Sequence, residues 1–226
     1  MQPKPTSPAA CAPREVLLQA AMIRLGSIDD EVQAGYNIIH RYHKTVTIFG
    51  SARLGASNHY YKAAREVAKK LAEHHHTIIT GGGHGIMEAG NRGAHDAGGD
   101  SIGFNIALPH EQTLNTYTTE SLAFSHFAPR KIVMTLYADA YIYFPGGFGT
   151  LDELTEILTL VQTGKTVAAP IILFGRDFWK PFDTFVRTEL QAEGLISRGD
   201  EHLYTITDDI DEVIRLVEQN KTYCDH

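Results

Sequence analysis

Apolar residues along this chain follow two patterns that take turns. One is the short continuous run rich in β-branched and aromatic residues: "TVTIF" (45–49), "TIIT" (77–80), "SIGFNIAL" (101–108), "LAFSHF" (122–127), "AYIYF" (140–144), "APIILF" (169–174) and "LYTI" (203–206). Each reads as a strand. Between them lie segments with apolar residues three and four apart, which read as helices. They are residues 57–75 with Ser57 as the cap candidate, the small-residue segment after "TGGGHG", 129–139 with Pro129 in its first turn, 150–164 closed by Gly164, 177–194 and 208–220. Residues 15–43 have helical spacing too, with an expected break at Gly26-Ser27. Strands that are apolar throughout, alternating with helices, imply a parallel sheet covered on both faces. The predicted fold is therefore α/β: a Rossmann-like, doubly wound parallel sheet of about six or seven strands. In such sheets ligands bind beyond the carboxyl ends of the strands.

Composition narrows the partners. The 226 residues suit one well-buried core. The expected organisation is a disordered lead over 1–14 and a single domain over 15–226, with 15–43 as a helical extension. The net charge of −7 offers no general attraction to nucleic acid or to an anionic membrane, so an anionic ligand must be held locally. No run approaches the roughly 20 apolar residues that span a bilayer. Cys11 and Cys224 lie far apart and outside any metal-binding spacing, which points to a reducing, cytoplasmic setting with neither disulfide nor zinc.

Chemistry gathers at three turns that a parallel sheet puts on one edge: "FGSAR" (49–53), "TGGGHG" (80–85) and "PGGFGT" (145–150). Glycines let backbone N–H groups approach a ligand, and the helix after each turn adds unpaired donors and the positive end of its dipole. That combination suits a phosphate. A single such turn is also explained by tight packing alone; three converging turns favour a ligand. No GK[ST] follows, so a Walker-type site is not indicated. Asp152 and Glu153 read as first-turn carboxylates, with Glu153 near the apolar stripe Leu151, Leu154, Leu158 and Val161. Arg130 starts a helix, where a cation is disfavoured unless it meets an accepting group; a solvated Arg130-Lys131 pair is the plainer alternative. His84 is either a ligand contact or a simple turn residue, and His110-Glu111 is placed to line the same cleft.

"PRKIVM" (129–134) and "PGGFGTLDE" (145–153) together resemble the PRKxxM and PGGxGTxxE signature of the Lonely Guy (LOG) family. "FGSAR" and "GGGHGIMEAGNRGA" are similar to that family's first two glycine loops, and the segments 15–43 and "GFNIALPHEQ" look like its longer bacterial branch. The resemblance implies a usually dimeric or higher homo-oligomeric hydrolase that needs neither metal nor other cofactor. It would cleave the N-glycosidic bond of a nucleoside 5′-monophosphate, AMP or an N6-substituted AMP. It further implies Arg130 and Glu153 as the catalytic pair and Gly146, Gly147, Gly149 and Thr150 as the phosphate site. Ser51, Gly82, Gly83, Lys131 and Met134 would border the substrate or belong to the motif. A non-catalytic nucleotide or molybdenum-cofactor carrier is the alternative. The family's older lysine decarboxylase label finds no lysine evidently poised for a Schiff base.

Overall fold

The computed structural model describes residues 13–107, 113–135 and 138–220. The lead before residue 13, both cysteines, the last residue of the third apolar run and the His110-Glu111 pair lie outside them. Seven strands form one sheet: β1 (Thr45–Phe49), β2 (Thr77–Thr80), β3 (Ser101–Ile106), β4 (Glu120–Phe124), β5 (Ala140–Tyr143), β6 (Ile171–Phe174) and β7 (Thr205–Thr207). Their order is β4-β3-β2-β1-β5-β6-β7, and every pairing is parallel. The helices are α1 (Arg14–Ile39), α2 (His59–Glu73), α3 (Ile86–Asp96), α4 (Phe127–Thr135), α5 (Phe148–Gln162), α6 (Arg176–Phe185) and α7 (Ile210–Glu218).

The strands are apolar throughout because both faces are covered. Phe49, Ile79, Phe104, Tyr143 and Leu173 point to one face, where Ile38 of α1, Val133 of α4, Leu154 of α5 and Trp179 of α6 meet them. Val46, Ile48, Ile78, Ile142 and Ile172 point to the other, against Leu71 of α2, Ala89 of α3 and Val213 of α7. This alternation along each strand is the ordinary period of two, with both halves buried. From β1 the chain steps outward through β2 and β3 to β4, then crosses back to β5 on the other side of β1. The order reverses between β1 and β5, and their carboxyl ends are stitched by Ser51 N–H donating to the Pro145 carbonyl at 3.0 Å.

Several boundaries differ from the sequence expectation. α1 runs unbroken through Gly26-Ser27, because a glycine inside a helix costs about 1 kcal/mol against alanine yet keeps its backbone hydrogen bond. α2 is capped by Asn58, whose side chain accepts from Tyr60 N–H at 2.8 Å, and not by Ser57. The expected fourth strand lies two residues earlier, at β4. The helix expected over 177–194 ends as α6 at Phe185 and passes into a wider π-turn over Val186–Gln191. α5 starts at Phe148, before the residue 150 expected from sequence, and this shift matters for the site.

Candidate active site at the switch point

β5 delivers the chain to Pro145-Gly146-Gly147 and straight into α5, with Gly147 as N-cap. The first intrahelical bond runs from Leu151 N–H to the Gly147 carbonyl at 3.1 Å, so the N–H groups of Phe148, Gly149 and Thr150 have no acceptor within the helix. They point to the carboxyl edge of the sheet with the dipole behind them. Among the described residues, nothing lies within 4 Å of where a side chain would begin at Gly147 or Gly149. Phe148 between them is 93% exposed. Thr150 is buried and packs on Gly146, where an added Cβ would fall 2.0 Å from the Thr150 hydroxyl.

The early start of α5 moves Asp152 and Glu153 out of the first turn, which holds no carboxylate. The dipole therefore does not explain them. Asp152 and Glu156 instead grip Lys131 of α4, each at 2.9 Å. Burial pulls the Lys131 pKa down, but the hydrogen bonds to Glu156 and Asp152 outweigh it and the net shift is upward. Lys131 thus ties α4 to α5, and Met134, 1% exposed, sits in the core one turn on.

Glu153 is different from its acidic neighbours. It is 6% exposed, and its Oε2 has no hydrogen-bond partner among the described residues. Burial pushes its pKa up to about 7, although the charges of Arg130 and Lys131 pull the other way. A carboxylate buried without a partner is costly, and such groups concentrate at functional sites. Of the stripe expected beside it, Leu154 is buried and Leu151, Leu158 and Val161 are partly so.

Arg130 lies in the first turn of α4, and its Nε donates to the Phe104 carbonyl of β3 at 2.7 Å. Burial lowers its pKa, with the Glu153 charge opposing that shift. The guanidinium occupies the space over Gly81, where an added Cβ would come 2.3 Å from Nη2. The arginine is therefore not a solvated surface cation. It reaches from α4 to the second glycine turn, and its charge and that of Glu153 act on one another.

That second turn is held from below. Gly82 adopts φ +68° and donates its N–H to Thr80 Oγ1 at 2.9 Å, so this N–H is already engaged. Asn115 donates its backbone N–H to the Gly82 carbonyl at 2.8 Å and its side-chain amide to the Gly83 carbonyl at 3.0 Å and to Asn91 Oδ1 at 2.8 Å. Asn91, fully buried on α3, also accepts from Thr80 Oγ1 at 2.6 Å and donates to Ser101 Oγ at 2.8 Å. Asn91→Ala should cost about 2–4 kcal/mol in urea unfolding, because it strands several buried polar groups at once. An unchanged midpoint would show that the network contributes nothing. Ser51 is drawn into the same arrangement: its carbonyl accepts from Ile86 N–H at 3.0 Å and its hydroxyl from Arg53 N–H at 3.1 Å. Gly81, Asn91 and Asn115 were not singled out from sequence; the only hint was a polar asparagine inside a small-residue helix.

Fold and site together define a doubly wound α/β protein of the Rossmann-like class, with glycine turns at its switch point. The family model described as "Possible lysine decarboxylase" matches residues 87–217, a stretch containing both motif segments, and the chain belongs to that family, the LOG family. A cytokinin riboside 5′-monophosphate phosphoribohydrolase of Oryza sativa subsp. japonica is 35% identical over 161 residues, covering 70% of this chain and 65% of that one. Another of that name from Arabidopsis thaliana is 28% identical over 188 residues, 81% of each. Two solved structures share the fold. The molybdenum cofactor carrier protein of Chlamydomonas reinhardtii has TM-score 0.56 at 20% identity, covering 78% of this chain and 98% of its own. The molybdenum cofactor binding protein of Rippkaea orientalis has TM-score 0.57 at 21% identity, covering 78% and 96%.

Proposed function

We propose that the protein hydrolyses the N-glycosidic bond of a nucleoside 5′-monophosphate, AMP or an N6-substituted AMP such as a cytokinin riboside 5′-monophosphate, to free base and ribose 5-phosphate. The observation that carries this reading is Glu153, a buried carboxylate whose Oε2 has no hydrogen-bond partner among the described residues, beside an open helix N-terminus. The phosphate would sit on the N–H groups of 148–150, with Gly147 and Gly149 leaving room for it and Gly146 admitting the Thr150 side chain beneath it. Binding there fixes the sugar, so that remote contact energy is spent on positioning the reacting bond. Cleavage of a glycosidic bond passes through an oxocarbenium-like sugar. Glu153, once ionised, stabilises that cation and receives a proton from the attacking water. Arg130 offers its charge to the ribose or base; a guanidinium keeps its proton, so its role is electrostatic.

Lys131 does not suit the decarboxylase reading. A Schiff-base lysine needs a depressed pKa, and two carboxylates hold this one in the opposite state. The carrier reading rests on fold likeness alone, which does not determine function. The working protein is proposed to be a cytoplasmic homodimer or higher homo-oligomer, built from one domain over 15–226. The exposed Phe148 is a surface that a second copy would cover.

The test is incubation with AMP and chromatography for adenine. Release by the wild type, reduced roughly a hundredfold or more in Arg130→Ala, is the expected result. AMP bound tightly but recovered intact would favour the carrier.

A further inference from the structure

We propose that His84, oriented by Glu88, is the acid that protonates the departing base, an inference that rests on the hydrolase reading above. The chemistry requires such a group. When the bond from C1′ to N9 breaks, its electron pair stays on the purine, and an unprotonated purine anion is a poor leaving group. Glu153 serves the opposite partner, taking the proton of the water whose oxygen bonds to C1′. Arg130 holds its proton too firmly to give one. The two residues assigned so far therefore leave the base side without a donor.

His84 meets the need by position and by partners. It lies in the second glycine turn, three residues after Gly81, whose Cα carries the Arg130 guanidinium. Its ring is 57% exposed at this edge. Nδ1 faces Glu88 Oε2 at 3.3 Å and Nε2 faces Thr113 Oγ1 at 3.1 Å. Glu88 is itself anchored, because Tyr61 donates its hydroxyl to Oε1 at 2.8 Å. A carboxylate on Nδ1 fixes the ring and its orientation and leaves Nε2–H as the mobile proton. Thr113 is a neutral hydroxyl that purine N7 can replace. The step then balances: Nε2 gives its proton to N7, the C1′–N9 electron pair returns to the purine, and the base leaves neutral. Bulk solvent restores the proton to His84. His126, the histidine before α4, is turned instead to Glu31 of α1 at 3.4 Å.

The experiment compares AMP with 7-methyladenosine 5′-monophosphate, whose base is already cationic at N7 and leaves without a proton. The wild type should cleave both, the methylated nucleotide at least as fast. His84→Gln should lose roughly a hundredfold or more on AMP, the usual worth of a positioned acid, and no more than about threefold on the methylated substrate. Glu88→Gln should show the same selectivity with a smaller loss on AMP. Equal losses on both nucleotides would make His84 a binding or structural residue and overturn the proposal. So would undiminished AMP cleavage by His84→Gln, or a wild type that cleaves AMP but not its methylated form. A wild type inactive on both defeats the hydrolase reading itself and takes this inference with it.

Discussion

Replacing Glu153 with glutamine should reduce base release from AMP roughly a thousandfold and, in the same protein, raise stability above neutral pH. The two effects share one cause. In the unfolded chain this carboxyl titrates near its ordinary 4.5, whereas burial holds it at about 7 in the folded protein. Between those values the folded state binds a proton that the unfolded state has lost, so stability falls as pH rises across the window and is level above it. The shift corresponds to about 3 kcal/mol at pH 8, an order-of-magnitude value for so enclosed a group. Glutamine keeps the shape and removes the charge. In urea unfolding the variant should match the wild type near pH 4.5 and exceed it at pH 8. On 7-methyladenosine 5′-monophosphate, whose base leaves without a proton, the wild-type rate should climb with pH through about 7 as Glu153 ionises. Residual hydrolysis near the wild-type level, or a variant less stable than the wild type at pH 8, would contradict this account.

Gly85→Ala should be the most damaging single methyl in the described residues near the site. Gly85 adopts φ 67° and ψ −128°, a region that side chains avoid. A Cβ there would also lie 2.3 Å from the Ser51 carbonyl oxygen and 2.7 Å from the Ala52 carbonyl carbon. Both obstacles are backbone, so neither can swing aside. The loop after β1 would have to part from the start of α3, breaking the Ile86–Ser51 hydrogen bond at 3.0 Å. Backbone strain and overpacking together should cost roughly 4 kcal/mol or more. For a chain of this size that lowers the melting temperature by about 10 °C. A melting curve within a degree or two of the wild type would show that the contact between these loops is looser than described.

Much of this was legible in the sequence, and for physical reasons. β1 and β2 coincide with their apolar runs because central strands of a parallel sheet must be apolar on both faces, which leaves a continuous signal. The three glycine turns stood out because their residue type is unusual. What the sequence hid was set by tertiary packing. Whether the helix dipole accounts for Glu153 depends on where α5 begins, and two residues of helix separate those answers. Lys131 and Met134 appeared as motif letters without a role; one proves to be an inter-helix clamp and the other core. Asn115 lies in the polar segment "LNTYTTE", where nothing in the spacing marks the residue that holds the glycine turn. Long-range polar contacts leave no periodicity to read.

The central claim is a placement: a phosphate on the first N–H groups of α5 sets the anomeric carbon of a nucleotide against the Glu153 carboxyl. A crystal structure of Glu153→Gln with AMP bound measures that directly. The phosphate oxygens should lie within hydrogen-bond distance of the amides of 148–150, with C1′ facing the side chain at 153. A phosphate lodged elsewhere, or a ribose turned away from residue 153, would contradict it.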